Sequence, residues 1–520
     1  MSDCYLGIDI GTSGVKVVAA DRRGKIVASA TEAFDFDRPR PGWAETPPSR
    51  WWAATAAATR RLVESLGRRS IASIGLSGQM HGSVFLDADA LKNAGRSPIG
   101  ALRPALMWND QRTEPQRAEI ENLLGGRRAC VEASGCPALC GLTAPKLLWL
   151  REHEPDIAAR IAGMCLPKDY IALLLTGAFA TDVGEGSGTM LFDNEARAWN
   201  ARTLAALGVD REILPDAVEA GTIIGQVTAW AASQTWLPEG TPLAIGSGDN
   251  QAAAIGAGVV DPGEALAIVG TSGVVLAPSE THTPDLAGET PGRLNLFCDA
   301  TGRGGRAGKW MLSGCMLSAA GSLEWARGVL APGESFETLL GGAGEIAPGC
   351  EGLIFLPYLT GERCPIPDPE ARGGWIGLTR SHTRAHLVRA VLEGVAFGLA
   401  QIMDIVREAC GPAERVLVTG GGAKSAVWRR ILADAFGSLV VPFEADEGSA
   451  LGAAAMGAHG VGAFDDIASL ARAWVRLGEP AEPDPAPALL KARAVYDRLY
   501  HDLHPASASL AAIDRGEADR

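Results

Sequence analysis

One six-residue segment occurs twice, half a chain apart. Ile10-Gly11-Thr12-Ser13-Gly14-Val15 returns 259 positions later as Val269-Gly270-Thr271-Ser272-Gly273-Val274. Both copies lie between strand-like runs, so both read as tight hairpins, and the pair reads as a duplicated half. At 520 residues the chain exceeds one ordinary core, since domains run to roughly 100–250 residues. Length predicts at least two domains, and the repeat suggests that they arose by duplication. The expected cut is at Gly246-Ser247-Gly248, giving residues 1–247 and 248–505, with a small, polar, flexible tail over 506–520. The same glycines are expected to hinge the two halves.

Local patterns fill in this frame. The start reads as a β-meander over Cys4–Ile10, Val15–Ala20 and Lys25–Ala30, with a turn at Asp21-Arg22-Arg23-Gly24. Helices are expected over Ser49–Leu66, Pro145–Glu152, Asn250–Gly258 and Leu387–Asp404. Strands Ser73–Leu76, Thr241–Gly248 and Arg415–Thr419 each run into a glycine-rich loop. A second meander begins at Glu264.

Composition narrows the function. The net charge of −14 argues against a nucleic-acid or anionic-membrane surface, both of which favour basic faces. Any anionic ligand must then be held by local positive groups: backbone N–H groups, a cation, one or two lysines. No apolar run approaches the roughly 18 residues of a membrane helix. The start MSDCYLGIDIG has no basic region followed by an apolar stretch, so no signal peptide is expected. Ten cysteines scattered through a long chain read as buried cytosolic thiols, which places the protein in the cytoplasm. Cys130, Cys136 and Cys140 lie near His153, at a spacing that fits no common zinc module.

The glycine-rich loops carry the chemistry. Glycines let a phosphate approach the main chain, successive N–H groups form an anion-binding concavity, and Thr and Ser add hydroxyl donors. A single G-T-S-G is more often a plain turn. Two related copies favour a phosphate site made by Gly11, Thr12 and Ser13 with Gly270, Thr271 and Ser272. Only the first copy carries charge, in Asp9 and Lys16; Ile268 and Val275 stand at those places in the second. A strand-end carboxylate such as Asp9 can hold Mg²⁺ directly or through water. No G-x-x-x-x-G-K-[ST] and no protein-kinase motif set occurs.

Asp249 ends a strand and opens a small-residue helix. As an N-cap it needs no further role, yet the same position suits a base that takes a proton from a substrate hydroxyl. Ser77-Gly78-Gln79-Met80-His81-Gly82 places a histidine between glycines at a strand end, where ligands of α/β sheets bind. Gly420-Gly421-Gly422, followed by Ser425, leaves room for a flat base or ribose against the backbone, a weak signal alone.

Together these residues resemble the FGGY carbohydrate kinases from Gly7 to about Pro505. The resemblance rests on Asp9–Lys16, Gly75–Gly82, Leu102-Arg103-Pro104 and Trp108-Asn109-Asp110, then on Leu166–Tyr170, Gly248-Asp249-Asn250, Phe355–Tyr358, Gly361-Glu362-Arg363 and Gly377-Leu378-Thr379. Two further spacings are Gly141-x-Thr143-x-x-Lys146-Leu147-x-Trp149, and Gly374 and Gly377 followed by His386-Leu387-x-x-Ala390-Val391-x-Glu393.

The resemblance implies two actin/ribonuclease H-like α/β domains with an active-site cleft between them. It implies Asp249 as proton acceptor and Asp9 on the Mg²⁺ side. Met80, His81, Trp108 and Asn250 would stand beside a sugar. The hairpin residues with Lys16 would meet the phosphates of ATP, and Gly420, Gly421, Gly422 and Ser425 the adenosine. The S-G-Q-M-H-G loop resembles that of members acting on D-xylulose rather than glycerol. Cys364 and Gln251 depart from the Thr and Ala usual in similar proteins. Kinases of ribulose, gluconate or glycerol on the same fold remain open, as does a non-catalytic actin-like nucleotide or sugar sensor. The expected partners are a small sugar and ATP, with a homodimer left open and no nucleic acid or membrane.

Overall fold

The computed structural model describes residues 3–443 and 448–514. The chain forms two compact units, interleaved along the sequence. One comprises Met1–Asp261, Ser279–Met311 and Glu447–Val475; the other comprises Pro262–Pro278, Leu312–Asp446 and Arg476–Arg520. A single cut at Ser247/Gly248 does not describe this division. The helix Gly448–Gly460, late in the sequence, belongs to the first unit.

The first unit is built on a six-stranded sheet in the order Ile223–Gln226, Pro242–Gly248, Ser70–Gly78, Asp3–Ile10, Gly14–Asp21, Ile26–Ala33. The meander is antiparallel, whereas Asp3–Ile10, Ser70–Gly78 and Pro242–Gly248 run parallel. Parallel central strands are covered on both faces and read as nearly continuous apolar runs, and Cys4 to Ile8 are all buried. One cover is the helix Pro48–Leu66, which buries Trp51, Thr55, Ala58 and Leu62 at helical spacing. Another is the helix Gly448–Gly460, whose residues Ala450 to His459 are all buried. A helix apolar on every side belongs inside a domain.

Within the second unit the strands follow the order Trp310–Met316, Gly273–Ser279, Glu264–Val269, Arg415–Thr419, Leu439–Pro442. Glu264–Val269 pairs antiparallel with Gly273–Ser279 and parallel with Arg415–Thr419. Asp3–Ile10 makes the same two kinds of pairing in the first unit. The duplicated hexapeptide therefore marks a duplicated topology, and both units have the mixed sheet of the actin/ribonuclease H type.

Gly246–Gly248 is not at a unit boundary. It lies inside the strand Pro242–Gly248, at a register shift against Ser70–Gly78. Gly246 has φ +70°, and a methyl group there would stand 1.7 Å from the Leu76 carbonyl oxygen. This glycine serves a bulge packed against its neighbour strand. The chain crosses between units at 261/262, 278/279, 311/312, 446/447 and 475/476 instead. The expected tail is helical as far as Asp514, in the helix Pro487–Asp514. Tyr496 and Leu499 pack that helix onto Phe397, and Ala511 is buried. Residues 515–520 lie outside the described residues. No helix among the described residues is long and apolar enough to cross a membrane.

Candidate active site

Three parallel strands of the first unit end side by side at Ile10, Gly78 and Gly248. Each passes into a loop or helix carrying a residue singled out in the sequence, and carboxyl ends of parallel strands are where α/β sheets bind ligands. Strand register sets the first group. Asp9 is paired across the ladder with Lys16 on one side and Ser77 on the other, and Ser77 pairs with Ser247. Partners in register share a face, so Lys16, Asp9, Ser77 and Ser247 form one polar row. Ser77 Oγ donates to Asp9 Oδ1 at 2.8 Å. Burial raises the Asp9 pKa, opposed by the Ser77 hydrogen bond and the Lys16 charge.

Asp249 is the first residue of the helix Asp249–Gly256, and Gly248 is its N-cap. The carboxylate is thus not spent on capping. Burial is the main cause that pushes its pKa up to about 7, and the Asp9 charge pushes in the same direction; the amides of Asn250 and Asp249 pull the other way. A carboxylate half ionised near neutrality suits a general base.

An ionic cluster lies behind Asp249. Lys168, Asp169, Asp182 and Glu185 are all buried. Lys168 Nζ stands 2.7 Å from Asp169 Oδ1, 2.8 Å from Asp182 Oδ1 and 4.0 Å from Glu185 Oε2. Ser247 Oγ donates to Asp182 Oδ2 at 2.6 Å, and Gln251 Nε2 donates to the Gly184 carbonyl at 3.3 Å. Residues two before and two after Asp249 are therefore tied to the helix Val183–Ser187 and to Asp182, which caps it. Burial is the largest cause holding the Glu185 carboxyl well above the usual carboxylate range; Lys168 opposes it, and Asp169, Asp182 and Asp249 add to it. The only sequence sign of this cluster is a charged pair, Lys168-Asp169, heading an apolar helix.

The loop after Ser70–Gly78 is bound to the first hairpin. Gln79 N donates to the Ile10 carbonyl at 2.8 Å and Gln79 Nε2 to the Gly11 carbonyl at 3.2 Å. His81 has φ +68°, a left-handed conformation uncommon for a residue with a side chain. His81 Nδ1 lies 2.9 Å from the Gly188 carbonyl oxygen. A carbonyl only accepts, so Nδ1 carries the proton and a neutral ring presents Nε2 as its acceptor. Asn250 Nδ2 donates to Met80 Sδ at 3.8 Å. The exposed Trp108 donates from Nε1 to Thr12 Oγ1 at 3.0 Å. Asp9, Gly11, Thr12, Ser13, Lys16, Met80, His81, Trp108, Asp249 and Asn250 all belong to the first unit.

The other predicted group belongs to the second unit. Gly270, Thr271, Gly421, Gly422 and Ser425 line one pocket of about 840 Å³ with Phe336 and Trp428. Ser272 and Gly420 adjoin its lining in sequence. Gly420 has φ +92°, and Gly422 packs against Val269 and Trp428, so the fold itself demands both. A methyl group at Gly421 would meet nothing within 4 Å. That glycine leaves room on the pocket side which packing does not use. Ser425 also accepts the Trp428 amide as N-cap of the helix Ala426–Phe436. Phe336 came without a sequence signal, because a lone phenylalanine in a helical run reads as core.

The Asp249 value is directly testable. Its carboxyl signal, in enzyme labelled with ¹³C-aspartate and free of nucleotide and metal, is expected to titrate with a midpoint of about 7. Asp249→Asn identifies the signal, and Asp9→Asn should lower the midpoint by removing a like charge. If Asp249 takes the substrate proton, turnover is expected to fall as pH drops below that midpoint, where the carboxyl is protonated. A midpoint near the usual aspartate value of about 3.9 would overturn this account of the site.

Comparison with known proteins points the same way. Residues 4–256 match the N-terminal domain of the FGGY family of carbohydrate kinases, and residues 265–461 match its C-terminal domain. A xylulose kinase of Bacillus subtilis (strain 168) is 34% identical over 501 residues, covering 96% of either chain. One from Escherichia coli (strain K12) is 39% identical over 454 residues, covering 86% of this chain and 88% of its own. The crystal structure of a xyloylose kinase from Brucella ovis superposes with a TM-score of 0.86 at 35% identity, covering 98% of this chain and 100% of that one. With both domains matched in order, and with two acidic residues at strand ends and a glycine-lined pocket among the described residues, this chain belongs to the FGGY family of ATP-dependent carbohydrate kinases.

Proposed function

We propose that this kinase converts ATP and D-xylulose into ADP and D-xylulose 5-phosphate. The terminal hydroxyl of the sugar loses its proton to Asp249 as its oxygen bonds to the γ-phosphorus. The bond from that phosphorus to the bridging oxygen breaks, and ADP leaves with the electron pair. His81 Nε2 accepts from a sugar hydroxyl, and Met80, Asn250 and Trp108 border the sugar. The hairpin amides and hydroxyls at Gly11–Ser13 and Gly270–Ser272, with Lys16, take the phosphates. The pocket at Gly421, Gly422 and Ser425 takes adenosine.

The observation that carries the chemistry is Asp249, a half-buried carboxyl with its pKa raised to about 7 at the ends of three parallel strands. The choice of sugar is supported by the Ser77–Gly82 loop and by full-length relatives bearing the xylulose kinase name.

Magnesium fits the residues present. Asp9 and Asp249 repel one another across the site, and a cation beside Asp9 would relieve that repulsion. Mg²⁺ takes one or two carboxylates, with phosphate oxygens and waters completing its shell, so it needs no protein cage. No cluster of three or more metal-ligating side chains occurs among the described residues. When bound, Mg²⁺ would neutralise charge on the phosphates.

Release of ADP would be followed with xylulose, ribulose, xylose, gluconate and glycerol. Xylulose is expected to lead in kcat/KM by roughly tenfold or more, the scale on which a hydroxyl-matched site discriminates. A lead for any other compound would reject the sugar and leave the kinase. ADP release with none of them would reject both.

A further inference from the structure

Lys146 is buried, and nothing in the transfer of a phosphoryl group calls for it. It stands in the first turn of the helix Thr143–His153 and is fully inaccessible. Its Nζ donates to the His81 carbonyl at 2.7 Å and to the Gly141 carbonyl at 2.8 Å. Among the described residues it makes no ion pair. Desolvating an ammonium costs several kcal/mol, which Met, of similar length and without charge, would avoid. Burial is the main cause that lowers the Lys146 pKa to about 7, with the Asp110 charge opposing it; as ammonium or as neutral amine, Nζ has the two N–H donors that these carbonyls take.

Both carbonyls belong to residues next to the sugar site. His81 is the left-handed residue of its loop, so its carbonyl turns from the direction an ordinary backbone would give it. Thr143 Oγ1 reaches the same oxygen at 3.4 Å. The far side of the imidazole is closed by Gly188, where a methyl group would lie 2.6 Å from His81 Cε1. Gly141 lies against Trp108 so closely that a methyl group there would be 2.1 Å from the Trp108 carbonyl oxygen. One Nζ thus ties the backbone of His81 to the backbone that supports Trp108. Trp108 in turn is fixed to Thr12 of the first hairpin.

We infer that Lys146 is a positioning residue for sugar binding: its Nζ pins the His81 carbonyl and so sets the direction in which the imidazole meets the substrate. It touches neither sugar nor nucleotide and acts through His81. This inference rests on the reading of His81 as a sugar ligand.

A double-mutant cycle on the full-length enzyme separates this role from a merely structural one. Lys146→Met and His81→Ala are each expected to raise the KM for xylulose roughly tenfold, with the KM for ATP within about twofold. The double variant should show no further rise beyond His81→Ala, because Lys146 would have nothing left to position. Effects that multiply would overturn the inference, as would an unchanged xylulose KM in Lys146→Met. A rise in Lys146→Met with no rise in His81→Ala would instead remove His81 from the sugar site, and this inference with it. Should Lys146→Met not yield folded protein by circular dichroism, Lys146→Gln, which keeps an N–H donor, takes its place in the same cycle.

Discussion

Asp249→Asn is expected to lower turnover by roughly 10²–10⁴-fold, the range a positioned general base supplies, with the KM for ATP within about twofold of wild type. Asn is nearly the shape of Asp, so the contacts of Ser247 with Asp182 and of Gln251 with Gly184 should persist. The helix start loses only its basic oxygen. Loss of the base acts on the hydroxyl in the transition state and not on the bound nucleotide, so kcat and kcat/KM for sugar should fall together. The residual activity should also lose its decline toward acid pH, since the group responsible is gone. Turnover within tenfold of wild type, or an unchanged acid decline, would remove Asp249 from the role of base.

The hairpins, Asp9, Asp249 and the Ser77–Gly82 loop were legible because each breaks a local pattern. Glycines interrupt strand-like runs, and a charge sits where a strand would otherwise end in apolar residues. Other parts left no such mark. Gly246 looks in sequence like a hinge glycine, and only its φ of +70° and its closeness to Leu76 reveal a bulge. The interleaved units were illegible for a related reason. The helix Gly448–Gly460 reads as a generic small-residue helix until the strands that it covers are known. The cluster of Lys168, Asp169, Asp182 and Glu185 draws on segments whose adjacency comes only from the fold. Lys146 was visible as part of a spacing, yet its partners are main-chain carbonyls, which no side-chain motif encodes.

Gly75→Val is expected to prevent the first unit from folding or to lower its stability sharply. Gly7 and Gly75 are paired in register on adjacent parallel strands. Built-on methyl groups would stand 1.8 Å from the Ala450 carbonyl oxygen at Gly7 and 1.9 Å from that of Ala453 at Gly75. The helix Gly448–Gly460 therefore rests with its backbone directly on the sheet. Its other side is as close, for a methyl at Gly452 would lie 1.8 Å from the Ala252 carbonyl oxygen, and one at Gly256 would lie 2.0 Å from that of Gly448. Sheet, helix and the helix that begins with Asp249 thus form three layers in backbone contact. Neither backbone can rotate aside as a flexible side chain would. An ill-fitting methylene in a packed core costs about 1–3 kcal/mol, and Val brings three carbons to a gap with room for none. The sum rivals a typical domain stability of roughly 5–15 kcal/mol. Any relief must move the layers apart, which also shifts Asp249 relative to Asp9. Gly100→Val is the control, since a side chain there meets nothing within 4 Å. Urea unfolding followed by tryptophan fluorescence should show a much lower midpoint, or no folded baseline, for Gly75→Val alone. Equal midpoints in the two variants would mean that the layers are not in the backbone contact described.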